Sequence, residues 1–340
     1  MTSDAYGRHV VASIRDEILR RGRFLISSHA RPDGDSIGSQ LAMAFALGEL
    51  GKECRIVNRD EPPEHYYEFP GVDSIAIATR VDPAWGDFDA EIIMECGDLP
   101  RTGVEGLGRA FVINIDHHLG NTMYGSLNWF DESASACGEM VFELIRALGV
   151  RLTPEIATHV YLAILTDTGS FHHSNITPRT FEVCRQVTEA GVNPASMARR
   201  VFDSNSYGKL KLIGHLLDSM ELHGDGRLAV MCMTQDLLDH ADSTVNDTEG
   251  IINLPLTARE IQAVVFFKAL EAGQVRVSMR SKYDVDVRAV AVQYGGGGHT
   301  NAAGFSVPGG VAEVRPAIIQ KLVAEVERAA QQRETELSRK

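Results

Sequence analysis

Phe24-Leu25-Ile26-Ser27-Ser28-His29-Ala30-Arg31-Pro32-Asp33-Gly34-Asp35-Ser36 passes from an apolar run into a polar loop within a few residues. The apolar half reads as a short strand. The loop, shaped by Pro32 and Gly34, opens into a helix-period segment from Ser36 to Leu50, with Ile37, Leu41 and Phe45 on one stripe and Gly51 as its stop. Outward from there the same alternation recurs. Cys54–Asn58, Glu91–Glu95 and Phe111–Asp116 are strand-like; Gly138–Leu148, Pro154–Leu165 and Pro178–Ala190 are helical, two of them opened by proline. Strands alternating with helices predict an α/β domain with a parallel sheet covered on both faces. In such sheets ligands bind just beyond the strand C-termini, where the polar clusters of this chain fall.

Further along, Asn193 to Met220 is helical, more polar and strandless, and reads as a linker over 193–220 between a first domain at 1–192 and a second at 221–340. The second block has strand-like runs at Leu228–Met233, Ile261–Ala269 and Gln274–Ser281. In the last, Val275, Val277 and Met279 alternate with Arg276, Ser278 and Arg280, as a half-buried strand requires. Val285–Val292 reads as a helix broken by Gly295–Gly298, and Val311–Arg328 as a closing amphipathic helix whose tail frays after Gln331. The expectation is therefore a smaller C-terminal α/β domain.

Composition bounds the function. The 340 residues carry 33 Lys and Arg against 46 Asp and Glu, a net charge of −13, which argues against coating long nucleic acid or an anionic membrane. No apolar run approaches a membrane span, and the first 23 residues lack a signal-peptide core. Five scattered cysteines with no C-x-x-C spacing read as reduced thiols of a cytoplasmic protein.

Four clusters could carry chemistry. His29, Asp33 and Asp35 share the first loop and make a donor set for a divalent metal, although Asp33 would also serve as an ordinary helix cap. Asp116-His117-His118 follows a strand directly; one imidazole as a ligand, with Asp116 orienting a ring, is the economical reading. Asp167 in Thr166-Asp167-Thr168-Gly169-Ser170-Phe171 ends a helix, where a carboxylate opposes the helix dipole unless a cation compensates. Glu95-Cys96-Gly97-Asp98 supplies further carboxylates at a strand end. The nearby His172 and His173 read as loop residues. In the second block the run Gly295-Gly296-Gly297-Gly298-His299 is either a flexible turn or a nest of N–H groups for an anion, with Arg280 at a strand end adding charge.

The segments HARPDGDSIGS, IDHH and TDTGSF, in that order and spacing, resemble the DHH phosphoesterase superfamily. Arg280-Ser281, the glycine run with His299, and Ala302-Ala303-Gly304 resemble its DHH-associated C-terminal domain. The resemblance covers about residues 20 to 325. The two-domain length is most similar to the nanoRNase/pAp phosphatase (NrnA-type) group. Cyclic-di-AMP and pApA phosphodiesterases share the motifs, and RecJ-like exonucleases usually add an OB-fold for which this chain has no room. A binding protein with a dead DHH site is disfavoured by the intact set of candidate ligands.

The resemblance implies an active site in the interdomain cleft and two divalent metal ions, usually Mn²⁺. His29 and Asp33 would hold one, and Asp35, His117 and Asp167 the other. A carboxylate would bridge them; the family has Asp where this chain has Glu95, which ranks first at the strand end, with Asp98 as its rival. Asp116 and His118 would act as orienting and substrate-contacting residues in catalysis. Arg280, Ser281, Gly296, Gly297, Gly298 and His299 would hold the substrate. The implied activity is hydrolysis of short oligoribonucleotides to mononucleotides and of pAp to AMP. Long duplex nucleic acid and membranes are not expected as partners, and a homodimer is left open.

Overall fold

The computed structural model describes residues 3–203, 205–248, 250–271 and 273–337. It divides into two compact units, Met1–Ser204 and Asn205–Lys340. The first unit runs α1 (Ser3–Arg20), β1 (Arg23–Ser27), α2 (Gly34–Glu49), β2 (Glu53–Asn58), β3 (Ala76–Ile77), β4 (Ala90–Met94), β5 (Phe111–Asp116), β6 (Leu127–Phe130), α3 (Cys137–Ala147), α4 (Pro154–Asp167), α5 (Pro178–Glu189) and α6 (Pro194–Phe202).

Its six strands lie in the order β3-β2-β1-β4-β5-β6, every pair parallel. That is a doubly wound order, and the chain reverses direction across the sheet between β1 and β4. The two loops leaving those strands therefore diverge and leave a crevice. They are the His29–Asp35 loop and the Glu95–Asp98 loop. Register completes the rim: Met94 pairs with Ile115, and the Glu95 amide donates to the Ile115 carbonyl at 3.0 Å, so Glu95 stands level with Asp116 and His117.

Alternation decides the two faces. Phe24, Ile26, Ile92, Met94, Ile113 and Ile115 point to the main core with the helices, whereas Leu25, Val57, Ile93 and Val112 point the other way. Both faces are covered as expected, one of them by helices. The second face is covered by irregular chain, with Trp85, Phe88, Leu99 and Leu107 packed on it. The segment between β3 and β5 buries these side chains with short helical turns alone. The N-terminal segment, unassigned from its mixed composition, is α1, because Val10, Ile14 and Ile18 recur at helical spacing and are buried.

Close crossings bring the ligand-bearing helix ends together. A Cβ on Gly34 would lie 2.4 Å from Thr166 Cγ2, one on Gly38 2.5 Å from the His159 carbonyl, and one on Gly138 2.3 Å from Ala163 Cβ. Glycine at these three positions lets α2 and α3 both touch α4.

The second unit contains α7 (Tyr207–Asp218), β7 (Glu221–His223), β8 (Leu228–Thr234), α8 (Gln235–Ala241), β9 (Ala263–Glu271), β10 (Gln274–Ser281), α9 (Val287–Val292), β11 (Gly297–His299), β12 (Ala302–Pro308) and α10 (Val311–Leu337). Its sheet has the order β11-β12-β10-β9-β8-β7, parallel only between β8 and β9. One face packs on α9 and α10 through Val277, Met279, Phe305, Ile318 and Leu322. Across β8 and β9 the other face packs on α7 and α8. Two expectations change here. The glycine run does not merely break a helix, since Gly297–His299 pair with β12 as an edge strand. The closing helix continues beyond Gln331 to Leu337.

Candidate metal centre

Asp35 sits in the first turn of α2, one residue after Gly34, and is buried. Its carboxylate accepts from the amides of Cys137 at 2.6 Å and Gly138 at 3.0 Å and from Ser39 Oγ at 2.8 Å. Cys137 and Gly138 open α3, so the positive end of that helix dipole faces the carboxylate. Burial, opposed by the charge of His117, still raises the pKa of Asp35.

Glu95 follows β4 and is 1% exposed. Its φ of +56° is left-handed, a conformation that costs a non-glycine residue about 1–3 kcal/mol and clusters at functional sites. One carboxylate oxygen lies 3.3 Å from His117 Nε2 and 3.3 Å from His118 Nδ1; the other, Oε2, is buried without a partner. Burial first, then the Asp35 charge, pushes the Glu95 carboxyl up to about 8.

His117 gathers the rest. Its Nδ1 faces the Ala134 carbonyl at 3.0 Å, which makes Nδ1 the protonated nitrogen and turns Nε2 inward. Nε2 then lies 3.8 Å from Asp35 and 3.7 Å from Asp167 as well as beside Glu95. Burial works against its charge, but the Glu95 hydrogen bond and the three carboxylates push it up to about 11. Burial and Asp35 push Asp167 up to about 7. Thus Asp35, Glu95, His117 and Asp167 each offer a ligand atom within 4.8 Å of the others, and Glu95, His117 and His118 form a second such group.

This donor set fits a divalent cation on two grounds. Three carboxylates in one buried cluster repel one another unless positive charge is present. The orphaned Glu95 oxygen is a buried acceptor that the protein itself leaves unsatisfied, and such groups call for an explanation.

The structure brings His29 and Asp33 together as well, with His29 Nε2 3.7 Å from Asp33 Oδ2. Asp33 Oδ1 accepts the Ser36 amide as a helix cap, while Oδ2 faces His29; neither His29 nor Asp33 belongs to the two groups above. Asp98 is not gathered in; it precedes a short helical turn, and no metal-ligating group among the described residues includes it. Asp116 is fully buried and holds His118 Nδ1 at 3.0 Å. Despite its burial, His118 and Asn121 keep the Asp116 carboxyl below the usual range. His118 is pushed up to about 9, chiefly by Asp116. His173, set aside as a loop residue, turns Nδ1 to the Asp167 carbonyl at 3.1 Å.

Sequence reading missed the neutral amides around the site. Asn121 Nδ2 donates to Asp116 at 2.6 Å and to Asn114 Oδ1 at 2.8 Å, and Asn175 Nδ2 donates to the Ser135 carbonyl at 2.8 Å beside Asp167. Asparagine is common in loops, so its only sequence signal was proximity to the motifs.

In the second unit, Arg280 is half-buried at the end of β10, and Arg280 NH1 donates to the Met279 carbonyl at 3.0 Å. The Ser281 hydroxyl is already engaged, donating to the Val285 carbonyl at 2.7 Å and accepting from Asn301 Nδ2 at 2.9 Å. The glycines divide. A Cβ on Gly296 or Gly298 would lie 2.3 Å from the carbonyl of Gly304 or Ala302, so packing on β12 demands both. A Cβ on Gly297 would meet nothing within 4 Å and would project into open space, so the fold does not require glycine there. His299 has its backbone in β11; its side chain lies outside the described residues.

Residues 23–164 match the model of the DHH family, N-terminal domain, and residues 225–331 match that of the DHHA1 domain. A Thermus thermophilus protein named bifunctional oligoribonuclease and PAP phosphatase NrnA is 36% identical over 296 residues, spanning 86% of this chain and 87% of that one. The Bacillus subtilis protein of the same name is 26% identical over 83% of this chain and 88% of its own. A crystal structure of an exopolyphosphatase-related protein from Bacteroides fragilis superposes with a TM-score of 0.85 at 22% identity, covering 94% of this chain and 96% of that one. With both domain models matched in order and a relative 36% identical over 86% of the chain, the chain belongs to the DHH family, a DHH N-terminal domain followed by a DHHA1 domain.

Proposed function

We propose that this chain is a metal-dependent phosphoesterase that hydrolyses short oligoribonucleotides to mononucleotides and pAp to AMP. The observation that carries the reading is the buried cluster of Asp35, Glu95, His117 and Asp167 with its unsatisfied Glu95 oxygen. The substrate class is supported by the oligoribonuclease and PAP phosphatase relatives. In this reading His29 and Asp33 would hold one divalent ion and Asp35, His117 and Asp167 a second, Mn²⁺ by preference, with Glu95 as the carboxylate they would share. Bound there, divalent cations supply the Lewis acidity that yields hydroxide near neutral pH and the charge that stabilises the phosphoryl oxygens.

The chain's own residues do the rest. Asp116 takes the Nδ1 proton of His118 in a hydrogen bond, fixes that ring and leaves Nε2 as the edge offered to a phosphoryl oxygen. Asn121 keeps Asp116 in place from its other oxygen. Arg280, His299 and the open backbone at Gly297 hold a second phosphate of the substrate, so one domain cuts and the other grips. The protein works in the cytoplasm, where its five cysteines, all free, stay reduced.

Length preference follows from charge. The basic run Arg20, Arg21 and Arg23 is tied to Glu17 and Glu53, so it offers no track for a long strand. Steady-state kinetics with Mn²⁺ on pAp, di- to pentanucleotides, a long single strand and cyclic-di-AMP, at two salt concentrations, tests this. Efficiency should peak on pAp or di- to tetranucleotides and depend weakly on salt. Rising efficiency on long strands with a steep salt slope would replace the reading with a processive exonuclease. Preference for cyclic-di-AMP would make the enzyme a cyclic-dinucleotide phosphodiesterase.

A further inference from the structure

The segment from Asp131 to Gly138 leads from β6 into α3 and reaches three of the residues clustered at the metal centre. Its Ala134 carbonyl fixes Nδ1 of His117 at 3.0 Å, and its Cys137 and Gly138 amides hold the Asp35 carboxylate. Its Ser135 carbonyl accepts from Asn175 Nδ2 at 2.8 Å, and the same nitrogen lies 3.4 Å from Asp167 Oδ2. The shape of this one loop therefore sets where His117, Asp35 and Asp167 stand.

Both ends of the loop are tied to a single side chain, Arg179. At the start, Asp131 Oδ1 accepts from the Ser133 amide at 3.0 Å and from Ser133 Oγ at 2.6 Å, and the Ala134 amide donates to the Asp131 carbonyl at 3.1 Å. Asp131 Oδ2 is left for Arg179 Nη1 at 2.7 Å. At the far end stands Glu139, fully buried in the first turn of α3. Its Oε2 accepts from Ser135 Oγ at 2.7 Å, and its Oε1 lies 2.9 Å from Arg179 Nε. Glu143, one turn on, lies 2.7 Å from the same nitrogen. Arg179 itself opens α5, a few residues after Asn175.

A buried ion pair is a poor source of stability, because desolvation offsets its attraction and packed apolar residues often replace it without loss. What a guanidinium supplies instead is direction: its rigid fork holds carboxylates from separate elements at fixed angles. We propose that Arg179 is a positioning residue. By clamping Asp131 and Glu139 it holds the 131–138 loop, and through that loop it keeps His117, Asp35 and Asp167 in the arrangement a divalent cation needs. The inference rests on the metal-dependent reading above and deepens it.

The test compares wild type with Arg179→Gln, Arg179→Lys and the paired change Glu139→Leu with Arg179→Met, which leaves no charge at the buried position. Arg185→Gln is the control, since it breaks ion pairs confined to the exposed side of α5. Nitrogen-edited proton spectra of the metal-free proteins report the His117 Nδ1–H bond to Ala134. Calorimetry gives Mn²⁺ affinity, kinetics on pAp gives kcat and KM, and thermal melts give stability. Arg179→Gln should weaken Mn²⁺ binding and lower kcat, each by roughly 10- to 100-fold, the range for groups behind metal ligands. KM should stay unchanged, and the His117 signal should shift or exchange away. The paired variant should melt like wild type yet show the same losses, and Arg179→Lys should recover stability but little of kcat, having the charge without the fork. Arg185→Gln should alter neither affinity nor kcat. If Mn²⁺ affinity and kcat simply follow the melting point across the set, or the His117 signal is unmoved in Arg179→Gln, the proposal fails. A wild type that binds Mn²⁺ but hydrolyses neither pAp nor any short oligonucleotide would refute the phosphoesterase reading, and the affinities and the His117 signal would still decide the role of Arg179.

Discussion

The two polar regions of this protein are built on opposite principles. The centre at the ends of β1, β4 and β5 collects carboxylates, buries them and gives each a backbone or side-chain tether, at the expense of raised pKa values and a left-handed glutamate. The face of β10 and β12 collects guanidinium groups over small residues and leaves them open, with no carboxylate to satisfy them. In the first, three carboxylates share two imidazoles; in the second, the lining around Arg276 and Arg280 has no carboxylate. The difference teaches that acidic and basic side chains are sorted into separate units, which is what the proposed division between cutting and gripping requires.

The strongest way to break this contrast is to remove the cation-holding side. Asp35→Asn keeps the side-chain shape yet should cut turnover to below about a thousandth, because even residues behind metal ligands typically cost 10–100-fold. EDTA should do the same to the wild type, with Mn²⁺ restoring the wild type but not the variant. Retained turnover in metal-free buffer would end the two-metal mechanism.

Next in size is the choice of bridging carboxylate. Glu95→Gln should lower kcat by roughly a hundredfold and weaken metal binding, measured by calorimetry, while Asp98→Asn should stay within about threefold. The reverse order would move the bridge to Asp98.

A smaller effect tests the other region. Arg280→Ala should lower kcat/KM on pAp by about 10- to 150-fold through KM, with metal affinity unchanged. Loss of metal instead would abolish the division between cutting and gripping.

The smallest effect separates burial from charge. His117 is largely and His159 fully buried in the first unit, yet His117 is pushed up to about 11 among carboxylates while burial pushes His159 down to about 4. His159 donates from Nε2 to the Pro70 carbonyl at 2.7 Å and is therefore neutral when folded. Below pH ~6.5 the unfolded chain takes up a proton that the folded chain refuses, so stability falls as pH drops toward 4. By pH 5 the loss should be about 2 kcal/mol relative to pH 7. Denaturant titrations at both pH values should show His159→Gln less pH-sensitive by that amount; equal sensitivity would mean the ring is already charged in the fold.

Much of this was readable from residue order. The strand runs Phe24–Ser28 and Phe111–Asp116 are where they were expected, because fully buried parallel strands need unbroken apolar stretches. His117 and Asp167 were legible because one directly follows a strand and the other ends a helix, and His29 and Asp35 because they flank the turn from β1 into α2. Other features left no trace. β11 is mostly glycine and pairs only because β12 lies beside it. Asn121 and Asn175 look like any loop asparagine until their partners are placed.

Local order by itself determined which residues end each strand, since alternation and turn chemistry act over a few neighbours. It therefore determined the donor types available at the sheet's carboxyl edge. Only the tertiary structure decided which donors meet. Asp35 is held by the amides of Cys137 and Gly138, 102 and 103 positions away, and that meeting depends on glycines at 34, 38 and 138 letting three helices touch. Likewise it is Glu95 and not Asp98 that stands beside His117, through one left-handed backbone angle and the register of β4 on β5, and long-range packing is what stabilises a conformation that local preference disfavours.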